Sequence, residues 1–216
     1  MELRHAIRSN GTVRDFRDEP VSDAVVAQIL DDARFAPSGG NRQPWRVVSV
    51  RDSGIRRTLA DLMHPVWNEY IASSRAGVVP FNSVDYAAPV EIEDTPNRLL
   101  DEIESIPAVL VVAADLHKIV AMDKDEDRTA IVPGASIYPF CWNALLAARA
   151  HGLGGVMTTF LARREQEAAG VLRLPEHHAV VAVLFLGYPV HQPTKLRRNS
   201  VDSFATIDTF DGSALG

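Results

Sequence analysis

The chain has 216 residues, 46% of them apolar and 23% charged, which is ordinary globular composition and excludes collagen-like, disordered and low-complexity classes. Lys and Arg number 22 against 28 Asp and Glu, a formal charge of −6; that disfavours a generic nucleic-acid or anionic-membrane binder, because phosphate contacts need a basic field. The one cysteine, Cys141, excludes an intrachain disulfide and a Cys-rich zinc ribbon, and a domain of this size buries roughly 70% of its extended surface without such staples.

Met1-Glu2-Leu3-Arg4-His5 lacks the basic-then-apolar pattern of a secretory signal. The longest apolar run, Ala179 to Leu186, falls short of the roughly 20 residues that span a bilayer. The expectation is one cytoplasmic, small-molecule domain over residues 1–216. Ser22 caps a predicted helix running towards Ala36, with Val25, Val26, Ile29, Leu30 and Ala33 on one face. Pro37-Ser38-Gly39-Gly40-Asn41 breaks it, and Trp45 to Val50 reads as a strand. Asp52 then caps a second helix reaching about Ser73.

From about residue 77 to 97 there is no clear period, and Pro80, Pro89 and Pro96 interrupt the chain. An irregular excursion that long is functional or disordered, and residues 77–100 are read as a variable, lid-like segment. Pro107 to Ala114 and Ala179 to Leu186 are continuous β-rich runs without polar alternation, the pattern of strands covered on both faces. Between them, Ser136 to His151 reads as a helix apolar nearly all round, closed by Gly152. Such a helix is buried in the core or in a subunit interface. Arg163 to Leu172 reads as a shorter amphipathic helix. The tail, residues 190–216, carries few core signals and is long enough to wrap a second subunit.

Protein-borne catalysts are not evident. There is no Gly-x-Ser-x-Gly elbow, Walker loop or His-Glu-x-x-His. Gly152-Leu153-Gly154-Gly155 follows a helix rather than a strand, so a C-cap and tight turn fit it better than a dinucleotide fingerprint. Asp123 to Arg128 alternates acids superficially like a calcium loop but lacks the turn glycine and closing glutamate, and reads as a solvated charge run. His177-His178 has no identifiable metal-ligating partners, and Cys141 suits a small core residue. A bound cofactor is therefore the remaining source of hard chemistry.

Two segments suit that role. Thr12-Val13-Arg14-Asp15-Phe16 places a hydroxyl and a guanidinium on alternate residues. Ala36-Pro37-Ser38-Gly39-Gly40-Asn41-Arg42-Gln43-Pro44-Trp45 offers paired glycines for close backbone approach and neutral hydrogen-bonding side chains. By itself the second segment also suits an ordinary helix-to-strand loop, and Arg14 also suits a surface ion pair with Asp15 or Asp18.

In order and spacing both segments resemble the flavin-dependent nitroreductase family, with its Arg-x-Ser-x-Arg/Lys-x-Phe and Ala-Pro-Ser-x-x-Asn-x-Gln-Pro-Trp patterns. The likeness continues through Gly152-Leu153-Gly154, Leu174-Pro175 and Leu186-Gly187-Tyr188-Pro189 to Lys195-Leu196-Arg197. The resemblance implies an α+β, three-layer α/β/α sandwich with an antiparallel-rich mixed sheet, assembled as a homodimer in domain-swapped style. It also implies one FMN per site at the subunit interface, with NADH or NADPH as co-substrate and a small electron acceptor such as a nitroaromatic or quinone. By the same resemblance Arg14 reaches the flavin's pyrimidine edge, Thr12 lies near the ribityl phosphate, and Lys195 and Arg197 bind that phosphate. Pro37, Ser38, Gly39 and Asn41 pack on the ring from the other subunit, Ser136 touches its polar edge, and backbone at Met157, Thr158, Thr159 and Phe160 faces N5. Asn10 stands where the family has an arginine, which removes one cation from the phosphate corner. Other branches carry alternative expectations: a flavin-cleaving or dehalogenating enzyme, or a flavin-storage protein with little turnover.

Overall fold

Strand β1 (Trp45–Val50), β2 (Ala108–Asp115), β3 (Gly154–Thr158) and β4 (His178–Gly187) form one sheet in the order β1-β2-β4-β3. These elements come from a computed structural model that describes residues 2–89 and 91–216. All three pairings are antiparallel, so the antiparallel component of the expected sheet accounts for every pairing among the described strands. Strand β2 lies inside, with every residue from Ala108 to Ala114 buried. Pleating divides those residues between two cores. Ala108, Leu110, Val112 and Ala114 face α2 (Asp23–Ala33) and α5 (Tyr138–Ala150). Val109 and Val111 face α3 (Ser53–Arg75), α4 (Arg98–Asp101) and α6 (Glu165–Leu172). Helices on both faces make the three layers, and they explain why the run shows no polar alternation. Each fully buried Val or Leu there contributes about 1.5–3 kcal/mol.

The predicted caps form. Ser22 Oγ accepts from Val25 N–H, and Asp52 Oδ1 accepts from Ile55 N–H at 2.8 Å. Arg56, nearly buried, donates to the Val50, Glu104 and Ile106 carbonyls at 2.7–2.9 Å, fastening α3 to the end of β1 and to the turn before β2. Burial lowers the pKa of this guanidinium, and Glu104 partly opposes that shift.

Some details differ from expectation. The helix read from Ser136 begins at Tyr138, because Val132–Ser136 forms a 3₁₀ turn and Ile137 leaves helical geometry. In one chain this helix is buried along Phe140, Cys141, Ala144, Leu145 and Ala148, while Tyr138 and Trp142 remain about two-fifths exposed. The short α1 (Leu3–Ser9) and strand β3 carry too weak a period to read from sequence. Strand β3 opens with two glycines, which ordinarily weaken a strand.

Those glycines serve a close approach. Gly152 (φ 78°) ends α5 in the left-handed region, as a C-cap glycine does. Residues 11–17 then run beside β3 and the segment after β4. Val13 N–H donates to Gly155 O at 3.0 Å, Arg17 N–H to Tyr188 O at 2.8 Å, and Val190 N–H to Asp15 O at 3.1 Å. A Cβ on Gly154 would stand 2.5 Å from Val13 Cγ2, and one on Gly155 would stand 2.5 Å from Leu186 Cδ2 and 2.8 Å from the Phe185 carbonyl oxygen. Gly155→Ala is expected to destabilise the fold by about 1–3 kcal/mol through overpacking. Urea unfolding should show a lower midpoint at unchanged slope; an unchanged midpoint would mean that this contact has room to relax.

Candidate active site

The arm along β3 decides where Arg14 goes. Val13 is turned into the core and only 2% exposed, so alternation along the arm sets Thr12 and Arg14 on the opposite, exposed side. Arg14, Met157, Thr158 and Thr159 line one cavity of about 270 Å³ at the β3 edge of the sheet, together with Trp67 and Tyr70 from α3, Asn97 from the cap of α4, and Phe160. No ion pair of Arg14 forms among the described residues. Asp15 is held instead by Arg98 at 2.8 Å, and Arg98 also binds Glu102 at 3.0 Å. The simple Arg14–Asp15 surface pair is thereby replaced. Thr158 Oγ1 is buried without a hydrogen-bond partner, a condition that costs about 1–3 kcal/mol unless a ligand relieves it.

The second predicted segment forms a separate cluster. Gly40, Asn41 and Gln43 all take positive φ, of 61°, 52° and 47°. The strained loop is held by its own polar groups: Ser38 Oγ accepts from Gln43 N–H at 3.0 Å, Gln43 Nε2 donates to Asn41 Oδ1 at 3.2 Å, and Arg42 donates to Gly39 O at 2.9 Å. Ser136, nearly buried, accepts from Gly39 N–H at 3.1 Å. Pro37, Ser38, Gly39, Asn41 and Ser136 are thus brought together, but at the β1 edge. Strands β2 and β4 lie between them and the Arg14 cavity, so one chain does not unite the two sets.

The tail returns to the N-terminal arm. Gly11 N–H donates to Pro193 O at 3.2 Å, Gln192 Nε2 donates to Gly11 O at 2.9 Å, and Leu196 packs beside Gly11. Lys195 and Arg197 flank that leucine in sequence, and both are exposed. Asn10 closes α1, so no side-chain cation stands at that position. The 77–97 segment is irregular as expected, with Val90 outside the described residues, and it is tied down along α3. Trp67 Nε1 donates to Thr95 O at 2.9 Å, Thr95 N–H donates to Asn68 Oδ1 at 3.0 Å, and Arg75 pairs with Glu93 at 3.1 Å.

Apart from the tail beyond residue 188, these positions fall inside a known sequence pattern: that of the nitroreductase family matches residues 7–188. The chain belongs to the nitroreductase family. A protein from Thermus thermophilus named NADH dehydrogenase is 30% identical over 198 residues, 89% of each chain. A 5,6-dimethylbenzimidazole synthase from Rhodospirillum rubrum is 33% identical over 183 residues, 82% of this chain and 77% of its own. Among solved structures, the NADPH:FMN oxidoreductase of Vibrio harveyi complexed with NAD⁺ superposes with a TM-score of 0.67 at 21% identity, over 95% of this chain and 77% of that one. At that identity the likeness is one of fold.

Sequence reasoning on this nitroreductase-family chain missed Trp67, Tyr70 and Asn97 as cavity residues. The spacing of Trp67 and Tyr70, one turn apart on α3, was a usable signal. Cys141 is fully buried and burial pushes its thiol up to about 12, which fits a core residue. The His177 ring packs against His117 with centroids 4.6 Å apart, and no group of three or more metal-ligating side chains occurs among the described residues. Nor is any helix among the described residues long and apolar enough to cross a membrane.

The charge run needs correction. Asp123 is buried rather than solvated, and its Oδ2 accepts from Arg128 at 2.7 Å, Ile131 N–H at 2.8 Å and Val132 N–H at 3.2 Å. It organises the turn that leads into Ser136. The Arg128 hydrogen bond and these amides lower its pKa from the ordinary 3.8 to about 2. The resulting stabilisation is present above 3.8 and is lost as pH falls through about 2. Asp123→Asn should therefore unfold at lower urea than the parent near neutral pH, with the gap closing between pH 4 and pH 2. A gap independent of pH would show that the carboxylate's charge is not what holds the turn.

Proposed function

We propose that the chain is an FMN-dependent oxidoreductase that takes hydride from NADH or NADPH and passes two electrons to a small electrophile such as a nitroaromatic or a quinone. The observation that carries this reading is one cavity lined both by Arg14, without an ion pair among the described residues, and by Thr158, whose buried hydroxyl is unpartnered. Both features suit a flat, polar-edged cofactor that gains negative charge on reduction. FMN, when bound, supplies hydride acceptance and donation at its N5. The chain's own work is positional and electrostatic. Arg14 stabilises negative charge at the N1 and O2 edge. Backbone of Met157 to Phe160 holds the N5 side, Thr12, Lys195 and Arg197 serve the phosphate, and no general base is required.

A homodimer belongs to the same proposal. The cavity of one chain is smaller than the roughly 300–1,000 Å³ usual for small-molecule sites. Its complement, Pro37 to Asn41 with Ser136, sits at the far sheet edge. A second copy brings that edge to the cavity and covers the exposed Tyr138, Trp142, Phe204 and Phe210.

The test is the spectrum of the purified protein, followed by anaerobic NADH or NADPH and then a quinone. Flavin absorbance should bleach rapidly and return on adding the acceptor. A colourless protein that FMN cannot reconstitute overturns the reading, and a coloured one that resists bleaching points to storage. The Rhodospirillum relative favours a second reading, formation of 5,6-dimethylbenzimidazole, whose dimethylbenzo ring is also part of isoalloxazine. Exposing the reduced protein to oxygen and analysing products by mass separates the two: flavin persists in the first and disappears in the second.

Arg14→Ala is expected to lower the bound flavin's reduction potential. Loss of such a group costs on the order of 1–3 kcal/mol, or roughly 20–60 mV for a two-electron couple. Redox titration of FMN-saturated variant and parent at identical salt measures it. An unchanged potential would remove Arg14 from the site.

A further inference from the structure

A second cavity, of about 370 Å³, adjoins the first. The two share Tyr70, Thr159 and Phe160 as a common wall. Its remaining lining comes from Val66 on α3, the Pro80-Phe81 turn of the lid-like segment, Ala162 and Arg163. The walls are aromatic: the Tyr70 and Phe160 rings meet edge to face at 5.6 Å. Arg163 stands at the rim with its guanidinium 4.5 Å from the Phe81 ring centroid and 6.0 Å from that of Tyr86. Phe81 itself has φ 53°, a strained conformation for a bulky residue, held by this stacking. The Arg163 guanidinium makes no hydrogen bond among the described residues; it forms an ion pair with Glu69 at 3.9 Å, too long for a hydrogen bond. Five N–H donors therefore remain for a ligand.

We infer that this chamber is a subsite for the electron acceptor and selects flat aromatic molecules carrying an anionic substituent, with Arg163 as the recognising cation. The inference rests on the proposed oxidoreductase reading, in which backbone at Met157 to Phe160 would face the flavin's N5, because Thr159 and Phe160 line both cavities. Aromatic walls supply stacking surface for the ring, while the guanidinium offers the planar fork that matches a carboxylate or sulfonate. A neutral ring gains only the first of these.

Two measurements test it. Calorimetry with the FMN-loaded protein compares 2-naphthalenesulfonate with 2-naphthalenemethanol, neither of which can accept electrons. Steady-state kinetics compares 1,4-naphthoquinone with its 2-sulfonate. Arg163→Gln should weaken sulfonate binding, and raise KM for the sulfonated quinone, by about tenfold, with changes under about twofold for the neutral partners of each pair. Arg163→Lys should restore part of the preference, and Glu69→Gln should strengthen sulfonate binding by removing a like charge. A loss shared equally by neutral and anionic ligands would mean that Arg163 only holds the lid, and would overturn the inference, as would no change in either. If the parent reduces neither quinone yet binds the sulfonate through Arg163, the acceptor role is overturned together with the oxidoreductase reading, while the recognition of anionic aromatic molecules by Arg163 stands.

Discussion

The position of every proposed cofactor-binding side chain on the β3 edge depends on how closely residues 11–17 approach the sheet. Val13 can lie in the core only because Gly154 leaves no Cβ in its way, and Phe16 packs against Gly187 in the same manner. That wedge fixes the phase of the arm. With Val13 inward, Arg14 must face the cavity, and with Asp15 taken by Arg98 it does so without a neutralising partner. Tail residues 190–193 close over the same arm through hydrogen bonds, and Leu196 packs beside Gly11. One steric condition at two glycines, Gly154 and Gly187, thus holds the N-terminal arm against the sheet.

Much of this was legible in the residues. The continuous apolar runs of β2 and β4 announced a sheet covered on both faces, and Ser22 and Asp52 announced their helices by capping. What escaped detection was nonlocal. Strand β3 has little intrinsic strand propensity and exists because it pairs with β4 and receives the arm. Asp123 looked like part of a solvated acidic stretch because nothing in its immediate neighbours reveals that the amides of Ile131 and Val132 fold back onto it.

The candidate site divides along the same line. Arg14, Thr158 and the loop at Ser38 could be picked out by motif, since their spacing lies within short segments. Trp67, Tyr70, Phe81 and Arg163 belong to elements whose mutual placement arises only when the lid-like segment lies along α3. A motif describes what members of a family hold in common. The Pro80-Phe81 part of the chamber comes from a stretch with no counterpart among those motifs, where one member's preference for its acceptor is free to differ.

The separation of the two residue sets to opposite edges of the sheet also has a genetic meaning in the proposed dimer. Each complete site draws its cationic half from one polypeptide and its glycine-loop half from the other. Two alleles, one defective at Arg14 and one defective at Ser136, would each be inactive alone. Expressed together they assemble heterodimers in which both lesions fall within one site and the other site is built entirely from intact halves. Loss of function at this locus would then be recessive in a pattern that depends on which edge of the sheet is damaged.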